Sequence, residues 1–340
     1  MDPVSQAVLG AAAAQAAFGR RLGRTATACG VVGGMLADAD VVIRSAADPL
    51  VAMEYHRHFT HALAFVPVGG LLAALPFLLT RAGRRRWRAV LGASTIAYAT
   101  HAPLDALTSY GTLLFWPFSR ERIALDWLSI IDPLFTLPLL ALVVAAWAWQ
   151  RPRFAAAGLL FAAAWAVFGA VQHARATAVQ VAVAASRGHR IEHGRTTPTL
   201  GNLVLWRSVY VAGGALWADA VRVAPFGRTA FVPGESVLHV VAPTAPAGVD
   251  PERAARDFAR FAWFADGLVA RHRGEPTVLA DMRYSLRTEG FEPLWGIRFL
   301  PSPAPPRVEW VELMLERRDG FGELWSLLRG ASDRLVDAPG

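Results

Sequence analysis

Three short clusters of ligand-type side chains lie between Met35 and Tyr110: Asp38-Ala39-Asp40, His56-Arg57-His58-Phe59-Thr60-His61 and His101-Ala102-Pro103-Leu104-Asp105. Imidazole and carboxylate are the mixed donors that hold a divalent cation, zinc first. An ion held this way makes water a nucleophile, so the chemistry implied is hydrolysis of an ester or phosphoester. His101 and Asp105 are four residues apart and share a helical face, so both can meet one ion, or the carboxylate can orient the imidazole. A His–Asp hydrogen bond that only staples helices is the plain alternative. His56 and His61 converge only if the first lies in a loop and the second opens a helix; a solvated loop histidine is the commoner fate of either alone. The candidate metal ligands are Asp38, His56, His61, His101 and Asp105. Asp40 is the candidate general base, and Arg57, whose planar fork suits phosphate and carboxylate, is the candidate receiver of an anionic substrate or oxyanion. His58, Asp2, Tyr110, Asp126 and Asp132 are secondary, each readily explained as structural.

The elements that must position these groups read as apolar helices. Of 340 residues, 54% are hydrophobic and only 18% are charged, a balance that makes a membrane protein the first expectation. Six apolar segments follow one another: about residues 4–18, 25–43, 61–80, 89–109, 127–149 and 154–171. The first is short for a full span of about 20 residues. Thr60 is placed to cap segment three. Asp38 and Asp40 would face apart on a regular helix, so the helix is expected to end or loosen there. Ionisable groups beside hydrocarbon are costly to place, so their recurrence at one depth marks a site. The expectation is a multi-span helical membrane domain of about five to six helices.

All 34 basic residues are arginine, and the net charge is +7. Grouped between apolar runs, the arginines read as topology signals rather than a nucleic-acid surface. Loops after segments one, three and five hold Arg20, Arg21, Arg24, Arg81, Arg84, Arg85, Arg86, Arg88, Arg151 and Arg153; those after two and four hold only Arg44, Arg57, Arg120 and Arg122. The arginine-rich set is expected on the cytoplasmic side, which puts all three ligand clusters at the outer face. Cys29 is the single cysteine, so no disulfide framework exists. No cleaved secretory signal is expected from the opening Met-Asp-Pro.

Beyond about residue 175 charges, prolines and short alternating stretches take over. Strands are expected at 203–211, 236–241, 277–286, 295–300 and 308–315, with one amphipathic helix from Pro251 to Arg271. The expected division is thus a helical transmembrane metal-site domain over 1–175 and a smaller α+β soluble, extracytoplasmic domain over 176–340.

The opening Met1-Asp2-Pro3-Val4-Ser5-Gln6-Ala7-Val8-Leu9-Gly10, the Ala37-Asp38-Ala39-Asp40 step, His56-Arg57-His58-Phe59-Thr60-His61-Ala62-Leu63 and the run from His101 through Tyr110-Gly111-Thr112 together resemble the membrane-bound metal-dependent hydrolases of the YdjM/YbcI type. The order Asp, His and His-x-x-x-Asp is also distantly similar to zinc-dependent phospholipase C, which implies phosphoester chemistry on a lipid. The resemblance implies a cell-membrane, multi-pass hydrolase with a divalent metal; membrane lipids and an amphipathic or anionic substrate are the expected partners. Gln6 stands where the family has a histidine, so that ligand is lost or replaced by an amide oxygen. Two further classes stay open: a metal-ion or proton-handling membrane protein, and a non-catalytic one with a sensory outer domain.

Overall fold

A computed structural model describes residues 1–242, 244–301, 305, 307–313 and 320–339. The chain forms two compact units. The first comprises Met1–Val42, Tyr55–Val171 and Leu200–Asn202; the second comprises Ile43–Glu54, Gln172–Thr199 and Leu203–Gly340.

Helix α1 (Pro3–Leu22) starts where the Asp2 carboxylate accepts from the amides of Val4 and Ser5, with Pro3 in its first turn. Gly23 closes it and α2 (Arg24–Met35) follows at once. The two helices meet backbone to backbone: a Cβ on Gly10 would lie 2.4 Å from the Gly30 carbonyl oxygen, so only glycine allows the approach. Past Met35 the helix tightens into a 3-10 stretch, Leu36–Val42, which carries Asp38 and Asp40. Next come α3 (Leu50–Tyr55), two 3-10 turns at Phe59–His61 and Leu63–Phe65, α4 (Val66–Leu78), α5 (Arg81–Arg85) and α6 (Trp87–Ala106). Asp132 caps α7 (Pro133–Trp149), and α8 (Pro152–Ser186) is one continuous helix. Thr60 does not cap segment three, contrary to the expectation from sequence. It lies inside the first 3-10 turn, and its hydroxyl is spent on Asp40 instead.

Two stretches are long and apolar enough to cross a membrane, Arg24–Val42 and Pro152–Ser186, and the pair Leu50–His61 and Leu63–Leu78, bent by 60°, makes a third if it is one span. Against five to six expected spans, two to three therefore meet both criteria among the described residues. The others fail for physical reasons. α7 is short at 17 residues, while α1 and α6 are alanine-rich and turn polar groups inward, among them Gln15, Ser94, His101 and Asp105. Outward, Leu71, Leu72 and Leu75 of α4, Leu134 and Leu137 of α7, and Leu160 and Val167 of α8 are exposed. Buried polar groups beneath an exposed aliphatic surface suit hydrocarbon surroundings rather than water.

The second unit is rich in sheet. One antiparallel sheet has the order β1 (His193–Pro198), β2 (Leu205–Ala212), β3 (Ala215–Val223), β4 (Thr229–Leu238) and, at the far edge, β9 (Val336–Asp337). Ala212 pairs with Ala215 across a two-residue turn, Gly213 and Gly214, both with positive φ, the backbone such a tight hairpin demands. A second antiparallel sheet has the order β5 (Val269–Arg271), β6 (Val278–Asp281), β7 (Trp295–Phe299) and β8 (Val308–Glu312). Helix α9 (Pro251–Phe264) precedes it and α10 (Gly320–Arg329) follows it. Val209, Leu216, Leu268, Val278, Met282 and Phe291 share one core. Arg207, buried, donates to the carbonyls of Met282, Arg283, Arg287, Thr288 and Gly290, and burial lowers its pKa to about 10.

Four of the five expected strands overlap β2, β6, β7 and β8, with residues 314–315 outside the described ones, while 236–241 only catches the end of β4. The expected helix to Arg271 stops at Phe264, because Asp266 and Gly267 take positive φ and the chain turns into β5.

Candidate metal centre

Four side chains from three separate segments meet inside the first unit. Asp38 comes from the 3-10 stretch after α2, His61 from the turn before α4, and His101 and Asp105 from one face of α6. Their ligand atoms all lie within 4.8 Å of one another. His61 Nε2 is 3.0 Å from His101 Nε2 and 3.2 Å from Asp105 Oδ2; His101 Nε2 is 3.4 Å from the same oxygen. Asp38 Oδ1 stands 3.4 Å from each Nε2. An ion with bonds of about 2.0–2.1 Å in tetrahedral geometry sets ligand-to-ligand edges of about 3.3 Å, so these five edges match such an ion closely.

Protonation points the same way. His101 Nδ1 lies 2.5 Å from the Gly34 carbonyl oxygen, which can only accept, so Nδ1 carries a proton, and in the neutral ring Nε2 presents a lone pair. Thr60 donates its hydroxyl to Asp40 Oδ2 at 3.1 Å, which leaves Thr60 Oγ1, 3.0 Å from His61 Nδ1, as an acceptor. His61 Nδ1, also 3.3 Å from Asp40 Oδ2, is therefore the protonated nitrogen of that ring. When both rings are neutral, two imidazole lone pairs face each other at 3.0 Å, beside an Asp105 Oδ2 that is buried with no hydrogen-bond partner. Neutral rings in that arrangement repel; a cation among them satisfies all three atoms. The group can thus bind a metal ion.

The surrounding groups hold this set in place. Asp40 accepts from the Arg57 amide at 2.8 Å and lies 3.0 Å from His56 Nδ1, on the far side of His61 from the four-ligand group. This is the carboxylate–histidine arrangement that orients a ligand ring. His56 is accordingly not among the four. Gln6, expected from the family pattern to matter, donates Nε2 to Asp105 Oδ1 at 2.9 Å, which turns its amide oxygen elsewhere. Arg57 Nη2 is 3.3 Å from the same carboxylate oxygen, to which the Met1 amino group also donates. Arg57 Nη1 donates to Thr108 Oγ1 at 3.1 Å, and its guanidinium lies 4.8 Å from the Tyr110 ring centroid. Arg57 has φ 60, an unfavourable backbone for a side-chain-bearing residue. His58 packs against Tyr55 and Trp116. Asp2 and Asp132 serve as helix caps.

Three partners escaped sequence reading. Gly34 acts through its carbonyl, for which side-chain chemistry leaves no trace. Thr60 reads from its position as a helix cap, which hides its contacts with Asp40 and His61. Tyr98, whose hydroxyl donates to the Thr60 carbonyl at 2.6 Å, reads as one more core aromatic of α6.

A helical unit with apolar candidate spans and a buried His/Asp group able to bind a metal ion defines a class of membrane protein. A family model described as YdjM inner membrane protein matches residues 1–176, and the chain belongs to that family. No curated protein and no solved structure matches it.

Proposed function

We propose that the chain is a multi-pass inner-membrane hydrolase of about five to six helices, with a divalent ion, zinc first, held by Asp38, His61, His101 and Asp105. The observation that carries this reading is the meeting of two imidazole nitrogens and two carboxylate oxygens at spacings that suit a tetrahedral ion. Such an ion supplies the Lewis acidity that makes water nucleophilic near neutral pH. Asp38 is the least buried of the four ligand residues, its side chain 24% exposed while the other three are fully buried, so in this reading water and substrate approach from the Asp38 side. Arg57 receives the anionic group of an ester or phosphoester substrate, amphipathic and lipid-like given a site at the membrane face. Asp40 orients His61 rather than serving as the base expected from sequence, and His56 supports Asp40 rather than the ion. In this reading the arginine-rich loops are cytoplasmic, and the metal centre and the domain over 176–340 lie outside.

Purified protein assayed for bound metal and for lipid and phosphoester hydrolysis, beside His101→Ala, tests the proposal. Metal and turnover present in the first and lost in the second are expected; metal-bound protein with no turnover on any ester would remove the hydrolase. One feature favours a second reading as a metal-ion handling protein: four protein donors fill a tetrahedron, whereas catalytic sites keep a position open. Uptake of zinc into vesicles without hydrolysis would establish it.

A further inference from the structure

His61 stands at a break in the winding of the chain, and all the groups around that break belong to the first unit. Ala62 is extended, at φ −76 and ψ 141, and separates the 3-10 turn Phe59–His61 from the turn Leu63–Phe65. In the first turn the amides of His61 and Ala62 donate to the carbonyls of His58 and Phe59 at 3.0 and 3.1 Å. A continuing 3-10 helix would next send the Leu63 amide to the Thr60 carbonyl. The break sends it to the Leu114 carbonyl instead, at 2.9 Å. A carbonyl left without a donor costs free energy where water is scarce, and one side chain supplies the missing donor. Tyr98 donates its hydroxyl to the Thr60 carbonyl at 2.6 Å.

Tyr98 has little room to do otherwise. It is buried, and a Cβ on Gly69 of α4 would lie 2.2 Å from its Cζ, so the α4 backbone rests flat against the ring. On α6, Tyr98, His101 and Asp105 fall at i, i+3 and i+7 and share one face. A single helix therefore carries two donors of the metal centre and the hydroxyl that holds the residue before a third. That residue, Thr60, also places its own hydroxyl between Asp40 Oδ2, 3.1 Å away, and His61 Nδ1, 3.0 Å away. Where its backbone is fixed, the orientation of the His61 ring follows.

We propose that Tyr98 is a positioning residue for the metal centre: through the Thr60 carbonyl it locks the break between the two 3-10 turns, and so sets His61 Nε2 opposite His101 Nε2. Its bond is to backbone, not to a ligand. The proposal rests on Asp38, His61, His101 and Asp105 being the metal site.

The test uses the full chain in lipid nanodiscs, with three readouts: zinc affinity by competition with a chromogenic chelator, the visible spectrum of the cobalt(II)-substituted site, and amide hydrogen exchange of peptides covering 59–65. Tyr98→Phe keeps the ring against Gly69 and removes only the donor. It should weaken zinc binding roughly tenfold or more, the scale on which ligand-supporting groups act, alter the cobalt bands and speed exchange across 59–65. Placing 4-aminophenylalanine at position 98 restores a donor on the same ring and should recover most of all three. Ser94→Ala, which removes a hydroxyl one turn earlier on α6 that has no hydrogen-bond partner, should leave them as in the wild type. Wild-type affinity and cobalt spectrum in Tyr98→Phe would overturn the proposal. Should Tyr98→Phe not fold, 4-fluorophenylalanine at position 98, which fills the place of the hydroxyl without donating, decides against the 4-amino variant. Should the wild-type protein bind no zinc, the metal reading fails, while exchange in Tyr98→Phe still decides whether the hydroxyl holds the turn.

Discussion

At the scale of single residues, Asp40 and His101 differ in how they reach an ion, and substitution separates them. Loss of the His101 imidazole removes a donor outright. Asp40→Asn keeps every ligand but weakens the acceptor that orients His61 and holds the Arg57 amide. In the proposed reading Asp40→Asn lowers metal affinity by about 10–100-fold while retaining stoichiometric binding at saturating zinc. Competition titration measures this, and loss of all binding would make Asp40 a ligand instead. The residue types were legible in the sequence because few side chains bind metals, and the i, i+4 spacing of His101 and Asp105 placed them together. Which of His56 and His61 joins them was not legible. That choice depends on a 3-10 turn and a positive φ at Arg57, neither of which has a composition signal.

At the scale of elements, the site depends on how closely helices approach. Gly34 gives its carbonyl to His101 and also lies against α1, where a Cβ would stand 2.4 Å from the Gln6 carbonyl oxygen. Gly34→Ala should push α1 and α2 apart, destabilise the fold by about 1–3 kcal/mol and weaken metal binding together, since both rest on one contact. Thermal unfolding with and without zinc checks it; unchanged melting would show that the helices accommodate a methyl group. Apolar runs revealed these helices, but run length did not separate those that are apolar all round from α1 and α6. The latter are made of alanine with sparse polar residues whose burial is set by neighbours. In the sheets, β3 escaped because Ala-Leu-Trp-Ala-Asp-Ala-Val-Arg-Val alternates poorly; Asp219 is buried there because Arg187 meets it with a bidentate pair and the Gly234 amide donates to it.

At the scale of the whole molecule, stability should vary with pH through pairs outside the helical segments. His193 is raised above its ordinary 6.5 by the hydrogen bond to Asp266. Burial pushes Asp266 upward, but the His193 hydrogen bond and the Arg195 charge outweigh it and leave it below 3.8. A raised histidine contributes stability below its ordinary value and loses it as pH rises through the shifted one. A depressed carboxylate contributes above its ordinary value and loses it as pH falls. The pair therefore helps most between about pH 4 and pH 6.5. With both side chains nearly half exposed, its worth is at the low end of roughly 0.2–1 kcal/mol. His193→Asn should cost that much at pH 5.5 and nothing well above the raised value, as followed by denaturant unfolding. Topology is testable on the same scale. Cysteines replacing Arg84 and Phe226 in a Cys29→Ala background should be shielded from and accessible to an impermeant thiol reagent in intact cells, respectively. The reverse pattern would invert the proposed orientation.

The uneven exposure of the four donors has a kinetic meaning. His61, His101 and Asp105 are buried and Asp38 is partly exposed, so the four-donor group is least covered on the Asp38 side. In the proposed reading an arriving ion meets Asp38 first and a departing one leaves it last. Asp38→Ser takes away that donor, so it should speed stripping by a chelator and slow loading, lowering zinc affinity by more than either rate changes alone, which stopped-flow release and uptake beside an equilibrium titration would resolve.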